Sequence, residues 1–278
     1  MDGASAEQDT NARTVLVAVK ALSEAKTRLA SLLDPETRTA LVLAMLSDTV
    51  SAARRCPGVG SVHVVSPDAD VLARAAGMGA SGFADPTSTL NDALTNAALQ
   101  LCSDAPTLVL QPDLPALRTA DLRHVLSRSG SSRVAVPDAA GTGTTVLHSP
   151  TGAALHPLFG PGSACAHASS GARLLSEVPR GLRTDVDTAE DLADALAIGV
   201  GPATAAVLDS TGTVATVAGP AAEGYVLRTD DGRRLDVATA VVRQGGWRAL
   251  RVGQRVRALT DVAGVVRLLV TPVAVAPG

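Results

Sequence analysis

Short apolar runs alternate with amphipathic stretches along the first 199 residues of the chain. The apolar runs predict strands at residues 15–19, 61–66, 82–85, 107–110, 132–136, 144–147 and 182–186. The amphipathic stretches predict helices at residues 35–53, 68–76, 90–101, 119–127, 169–178 and 188–197, two of them capped by Thr119 and Thr188. This alternation indicates an α/β fold whose mostly parallel sheet carries helices on both faces.

The pattern changes after Gly199. Residues 200–205 are typical of a linker, and residues 206–273 hold five short valine-rich runs separated by glycine and aspartate turns. Asp-Gly between such runs, as at Asp231-Gly232, is a hairpin signal. We therefore predict a disordered N-terminus at residues 1–13, an α/β domain at 14–199 and a small β-barrel at 206–273.

Composition narrows the classes of function. The formal net charge of −3 argues against a general nucleic-acid or membrane surface, and no apolar stretch is long enough to span a bilayer. The three cysteines (Cys56, Cys102 and Cys165) are far apart, which fits a reducing compartment and no zinc knuckle. The N-terminus has no apolar signal region, so we expect a cytoplasmic protein.

The two lysines of the chain, Lys20 and Lys26, stand together just after the first predicted strand, while the other 22 basic side chains are arginines. An ammonium is a compact point charge, whereas a guanidinium is a planar fork, so a narrow phosphate site can require lysine. The pair is a candidate phosphate cradle. Chance retention in an arginine-biased chain is the alternative.

Two carboxylates are candidate metal ligands because each follows a predicted strand. Asp113 is braced by Pro112 and Pro115, and Asp185 begins the acidic run that includes Asp187. Helix capping or an ordinary loop role is the alternative for each. We favour Asp185 as the ligand and leave capping to Asp187 or Thr188.

Two loops of glycine and hydroxyl residues, 141–145 and 159–163, offer backbone N–H groups that suit an anion, although most such runs are ordinary turns. Together with the lysines and carboxylates they suggest a site for two divalent cations, a polyphosphate and a second small anion, which is the equipment of nucleotidyl transfer. The five histidines show no ligand spacing and are interpreted as surface or strand filler.

The segment from Val17 to Leu29 resembles the N-terminal signature of the phosphoenolpyruvate or 2-phospho-L-lactate guanylyltransferases of coenzyme F-420 biosynthesis. Further blocks in the family's order lie at residues 89–94, 113–117, 141–145, 159–163 and 185–188. The resemblance implies a nucleotide-diphospho-sugar transferase fold and a GTP-dependent reaction. It also implies a role for each candidate: Mg²⁺ on Asp113 and Asp185, the nucleotide on Lys20, Lys26 and Asn91, and the acceptor on Thr145, Gly160 and Ser163.

The acceptor remains open among phosphoenolpyruvate, 2-phospho-L-lactate and 3-phosphoglycerate, which share a carboxylate and a phosphate; we expect phosphoenolpyruvate by analogy with arginine-rich relatives. Another nucleotidyltransferase, of sugar-phosphate or molybdopterin type, is the alternative enzyme. The C-terminal part resembles a degraded cold-shock domain that keeps only Tyr225 and Trp247 as aromatic platforms. We therefore favour a structural appendage there over a nucleic-acid-binding protein, and leave homo-oligomerisation open.

Overall fold

The computed structural model describes residues 12–20, 22, 26–85, 87, 89–102, 105–261 and 263–270. Its helices are α1 (Pro35–Arg54), α2 (Ala69–Gly77), α3 (Leu90–Leu101), α4 (Thr119–Ser129), α5 (Ser163–Ser169), α6 (Ala189–Ile198), α7 (Pro202–Thr211) and α8 (Thr239–Gln244). Its strands are β1 (Arg13–Ala18), β2 (Val59–Ser66), β3 (Ser81–Ala84), β4 (Thr107–Leu110), β5 (Val134–Pro137), β6 (Thr144–Ser149), β7 (Arg173–Leu174), β8 (Thr213–Ala221), β9 (Gly224–Thr229), β10 (Arg234–Ala238), β11 (Arg255–Thr260) and β12 (Val266–Val270). None of the helices in these ranges is long and apolar enough to cross a membrane.

The predicted α/β architecture is confirmed. Seven strands form one sheet in the order β3-β2-β1-β4-β6-β5-β7, and β6 runs antiparallel to its neighbours. Successive residues of β1 are buried on opposite faces: Val15 and Val17 pack in the cluster that holds α1, α2 and α4, whereas Leu16 packs with α3. Because both faces are covered, the strand is a continuous apolar run instead of an alternating one.

The register of this sheet places the candidate residues. β1 pairs in parallel with β4, with Val17 opposite Leu110. The chain that leaves β1 toward Lys20 and the chain that leaves β4 toward Asp113 therefore start side by side. Ligands of open α/β sheets bind beyond this carboxyl edge.

The C-terminal strands form a separate antiparallel sheet of five strands in the order β10-β9-β8-β11-β12. The edge strands β10 and β12 contact each other, but no ladder joins them in the described residues. The predicted C-terminal β-structure is thus present as an antiparallel sheet, whose edge strands contact each other without a hydrogen-bonded ladder in the described residues.

The predicted linker at residues 200–205 is wrong, because α7 already begins at Pro202. Proline suits the first helical turn, where its missing N–H is not needed. The buried carboxylate of Asp48, on α1, accepts the N–H groups of Ala203 at 3.0 Å and Thr204 at 2.8 Å. A Cβ at Gly201 would lie 2.3 Å from Asp48 Cγ, so this close approach requires glycine.

One apolar cluster joins the second sheet to helices of the α/β domain. Leu208 of α7 and Leu259 and Leu268 of the second sheet pack in the same cluster as Leu41 of α1 and Leu192 of α6. The C-terminal part is thus fixed to the α/β domain by buried side chains and by the Asp48 contact. Of the N-terminal segment expected to be disordered, residues 1–11 lie outside the described residues, and Arg13 already belongs to β1.

Two predicted elements near the site are wrong. The helix expected at residues 169–178 is instead α5, which ends at Ser169; Gly171, at φ +93°, turns the chain into β7. The strand expected at residues 182–186 is absent: a 3-10 helix, Arg180–Leu182, is followed by a segment that has no regular secondary structure. Helix α4 is preceded by Arg118 as its cap residue, one position before the predicted Thr119.

Candidate active site

A buried ion pair joins two predicted site residues across the carboxyl edge of the sheet. The Lys26 ammonium donates hydrogen bonds to Asp113 Oδ2 and, at 2.7 Å, to Asp187 Oδ1. The side chains of Lys26 and Asp113 are only 11% and 13% exposed. Burial alone would lower the pKa of Lys26, but the charges of Asp113 and Asp187 outweigh it and hold that pKa above its ordinary value, so the lysine stays charged.

Asp185 lies beside Asp113 although no strand carries it there. The Val186 N–H donates to the Asp113 carbonyl at 3.1 Å, which fastens the two acidic segments together. Burial, and then the charge of Asp113, raise the pKa of Asp185 to about 7. Lys26 pairs with Asp113 and Asp187, so no positive charge offsets the carboxylate of Asp185 in the same way.

The carboxylates fit a divalent cation. Asp113 Oδ1 is buried and has no hydrogen-bond partner among the described residues, so one coordinating oxygen is free. Within the same residues, no group of three or more His, Cys, Asp or Glu side chains is arranged to hold a metal ion. Mg²⁺ commonly binds through one or two carboxylates, with substrate phosphates and water completing its shell. Asp113 and Asp185 match that partial ligand set.

Lys20 takes no part in this ion pair. It follows β1, is exposed, and lines a cavity of ≈ 210 Å³ at the carboxyl ends of β1 and β2, together with Ser66 and Asp85. The Asp85 carboxylate accepts hydrogen bonds from Thr87 N at 2.7 Å and from Asn96 Nδ2 at 3.1 Å. The structure thus separates the two lysines, placing one in an open cavity and one in a buried pair.

The hydrogen-bond donors of the 141–145 loop bind acceptors within the protein. Asp138 accepts the N–H groups of Thr142 at 2.9 Å and Gly143 at 2.8 Å, which leaves neither for an anion. Thr145 is fully buried, and its hydroxyl donates to the Leu182 carbonyl at 2.5 Å. The loop therefore ties β6 to the segment that leads into Asp185, and the acceptor role of Thr145 stays a prediction.

The 159–163 loop is more open. Gly160 is exposed at φ +140°, and nothing lies within 4 Å of the Cβ position. Asn91 grips the neighbouring Phe159: its Nδ2 donates to Phe159 O at 3.0 Å, and its Oδ1 accepts Phe159 N–H at 2.9 Å. Ser163 is buried at the start of α5. Asn91 therefore holds the loop, and the nucleotide-binding role expected of it stays a prediction, as do the acceptor roles of Gly160 and Ser163.

His167 was missed by sequence reasoning, which treated every histidine as filler. Its Nε2 accepts the Leu158 N–H at 2.9 Å, its Nδ1 lies 2.9 Å from Thr144 Oγ1, and its ring packs edge-on to Phe159 at 5.1 Å. Burial and the nearby Arg133 lower the pKa of His167 to about 4, so the ring is neutral. The one signal in the sequence is its position four residues after Ser163, on the same face of a helix.

The sequence matches the family described as "Guanylyl transferase CofC like" over residues 13–228. The chain belongs to this family. It is 44% identical over 201 residues to the phosphoenolpyruvate guanylyltransferase of Mycobacterium ulcerans (strain Agy99), covering 70% of this chain and 92% of that protein. It is 45% identical over 200 residues to that of Streptomyces coelicolor (strain ATCC BAA-471 / A3(2) / M145), covering 70% and 94%.

A crystal structure from Desulfovibrio desulfuricans G20, described as a nucleotide-diphospho-sugar transferase, has the same fold. It superposes with a TM-score of 0.55 at 15% identity and covers 72% of this chain and 95% of its own. The family match includes every candidate site residue, and the chain is a guanylyltransferase.

Proposed function

We propose that this guanylyltransferase transfers GMP from GTP to the phosphate of phosphoenolpyruvate and releases pyrophosphate, as a step in making coenzyme F-420. The observation that carries the proposal is the acidic pair Asp113 and Asp185 beside the Lys26 ammonium at the carboxyl edge of the sheet. Phosphoenolpyruvate is chosen as the acceptor because both relatives named above are called phosphoenolpyruvate guanylyltransferases.

In this reaction an oxygen of the acceptor phosphate attacks the α-phosphorus of GTP, and the bond from that phosphorus to the bridging oxygen of pyrophosphate breaks. Asp113 and Asp185 would hold Mg²⁺, which when bound stabilises the charge that develops on the phosphate oxygens. Lys20, in its open cavity, and Lys26 supply positive charge toward the triphosphate. The exposed backbone at Gly160 supports a role of the 159–163 loop in holding the acceptor.

A nucleic-acid-binding role of the C-terminal sheet is a weaker candidate. Five of its nine arginines form ion pairs with aspartates, as in Arg255 with Asp230 at 2.5 Å and Arg234 with Asp236 at 2.8 Å. Binding to a phosphate backbone needs clustered free cations, so these pairs weaken the case for such a role.

The test is pyrophosphate release, measured with each nucleoside triphosphate, Mg²⁺ and each of the three candidate phospho-acids. We expect GTP and phosphoenolpyruvate to be the preferred pair. Asp113→Asn and Asp185→Asn should each lower kcat by orders of magnitude while the circular dichroism spectrum is kept, because each removes a metal-binding charge. Turnover within a few-fold of the parent in either variant would contradict the site assignment.

Lys20 offers a second test of the nucleotide site. Lys20→Arg keeps the charge, but a planar guanidinium is larger than the ammonium that the cavity accommodates, so we expect KM for GTP to rise at least about tenfold. Surface arginines replaced by lysine, such as Arg74→Lys, serve as the control for changes of cation that touch no site. A normal KM in Lys20→Arg would show that the scarcity of lysine has no chemical meaning there.

A further inference from the structure

Lys26 occupies an unusual position for a residue expected to contact phosphates. Its ammonium is nearly buried, and it donates to both Asp113 and Asp187 instead of facing an open cavity. Its backbone is in the left-handed region at φ 52° and ψ 42°, which is uncommon for a residue with a long side chain. Such conformations persist where the surroundings impose them, and they concentrate at functional sites.

The two oxygens of Asp113 have different partners. Oδ2 accepts from Lys26, whereas Oδ1 is buried and without a hydrogen bond in the described part of the chain. A divalent cation bound to this carboxylate would lie within a few ångströms of the ammonium. At that separation and with little solvent between them, a dication and an ammonium repel strongly. The two cations therefore compete for Asp113.

We propose that Lys26 is a built-in substitute cation, which neutralises Asp113 in the free enzyme and must give up that carboxylate before a divalent metal can bind. The inference rests on the proposed function only in placing the metal at Asp113. It has a consequence for order: the metal arrives with the triphosphate, whose oxygens both complete the metal shell and accept the released ammonium. It also explains why the protein provides only part of a set of metal ligands: in the free enzyme the Lys26 ammonium supplies the positive charge beside Asp113 that a bound metal ion would otherwise supply.

The first experiment measures Mn²⁺ binding by electron paramagnetic resonance, without GTP or acceptor. We expect Lys26→Met to bind Mn²⁺ at least about tenfold more tightly than the parent, because the competing charge is removed. Lys20→Met is the matched control: it removes the same charge from the same segment but contacts neither aspartate, so its affinity should change by less than about threefold. Lys26→Met affinity equal to or below that of the parent overturns the inference.

Asp113→Asn separates this inference from the proposed function. If Asp113→Asn does not weaken Mn²⁺ binding when it is added to Lys26→Met, the metal lies elsewhere, and both the site assignment and the role of Lys26 fail. If binding requires Asp113 but Lys26→Met leaves it unchanged, the proposed function stands and only the competition is wrong. A parent that binds no Mn²⁺ supports the inference when Lys26→Met does bind it, and overturns the inference when neither binds.

The second experiment uses the unaltered protein, so it holds even if Lys26→Met folds poorly. Because the chain has two lysines, labelling with side-chain ¹⁵N-lysine leaves two ammonium signals, and the Lys26 signal is the one that Lys26→Arg removes. We expect Mg²⁺ to shift the Lys26 signal with the same midpoint as metal occupancy, and to leave the Lys20 signal in place. A Lys26 signal that stays unmoved at Mg²⁺ saturation would show that metal and lysine share Asp113 without competing.

Discussion

Thr145→Val tests how the structure holds the Asp185 segment. The replacement keeps the shape of the side chain and opens no cavity, so it removes only the hydroxyl that donates to Leu182 O at 2.5 Å. Leu182 is fully buried, and its carbonyl would lose this partner. A buried acceptor left unpaired costs about 1–3 kcal/mol of unfolding free energy. For a protein of this size that is a fall in Tm of roughly 2–5 °C.

The catalytic effect follows from the position of Leu182, three residues before Asp185. A loosened segment should place the Asp185 carboxylate less well, so we expect kcat to fall while KM for GTP and for the acceptor changes by less than about threefold. Urea unfolding and steady-state pyrophosphate release measure the two effects. Ser129→Ala is the control, since it removes a hydroxyl of similar burial from α4, far from the site, and should lower stability without changing kcat.

The opposite pattern would refute this reasoning. If Thr145→Val keeps the parental Tm and raises KM for phosphoenolpyruvate tenfold or more, the hydroxyl contacts the acceptor and not the Leu182 carbonyl. That outcome would confirm the role that the family resemblance implies for Thr145.

Three further predictions concern titration and packing. In EDTA, Asp185→Asn should be more stable than the parent at pH 8, and this difference in stability should narrow as pH falls from about 7 toward 4. The reason is the raised pKa of Asp185, because of which the folded parent binds a proton in this range that the unfolded chain has released. A stability difference that does not vary with pH would contradict this. His167 has a lowered pKa, so the parent should lose stability relative to His167→Gln as pH falls from about 6.5 to 4, measured by urea midpoints; parallel pH profiles would show that His167 does not stay neutral. Asp48→Ala should lower the unfolding free energy by about 2 kcal/mol, because α7 loses a buried charged cap. Asp34→Ala, at the exposed start of α1, should lower it by only about 1 kcal/mol. Equal losses would show that burial does not make the Asp48 cap more stabilising than the Asp34 cap.

The elements with strong local signals could be predicted from the sequence. Helix α1 begins at the expected Pro35, capped by the Asp34 side chain, and α3 spans the predicted residues. The helix expected at 169–178 failed because its apolar spacing is local, whereas the positive φ of Gly171 and the pairing of Arg173 with the neighbouring strand β5 depend on tertiary contacts. Local periodicity carries no information about such contacts.

The site was predictable in its chemistry but not in its pairing. Lys26 and Asp113 were both singled out, yet 87 residues separate them and nothing local indicates that they form an ion pair. The sequence leaves the capping of α6 to Asp187 or Thr188. Thr188 makes the cap together with Asp191, which leaves the Asp187 carboxylate free to accept the Lys26 ammonium. When two adjacent residues can both cap a helix, the sequence does not show which one does. Here the ion pair between Lys26 and Asp187 leaves the cap to Thr188.

The apolar cluster that joins the second sheet to α1 and α6 also sets when this enzyme can finish folding during synthesis. Leu41 is made early, but its cluster is completed by Leu259, Leu268 and Val270, which leave the ribosome more than two hundred residues later. Until then α1 presents part of its apolar surface to water, at the stage when nascent chains depend most on chaperones. A chain that has emerged from the ribosome only as far as Gly201 would therefore have all seven strands of the first sheet beside a flank that is still uncovered.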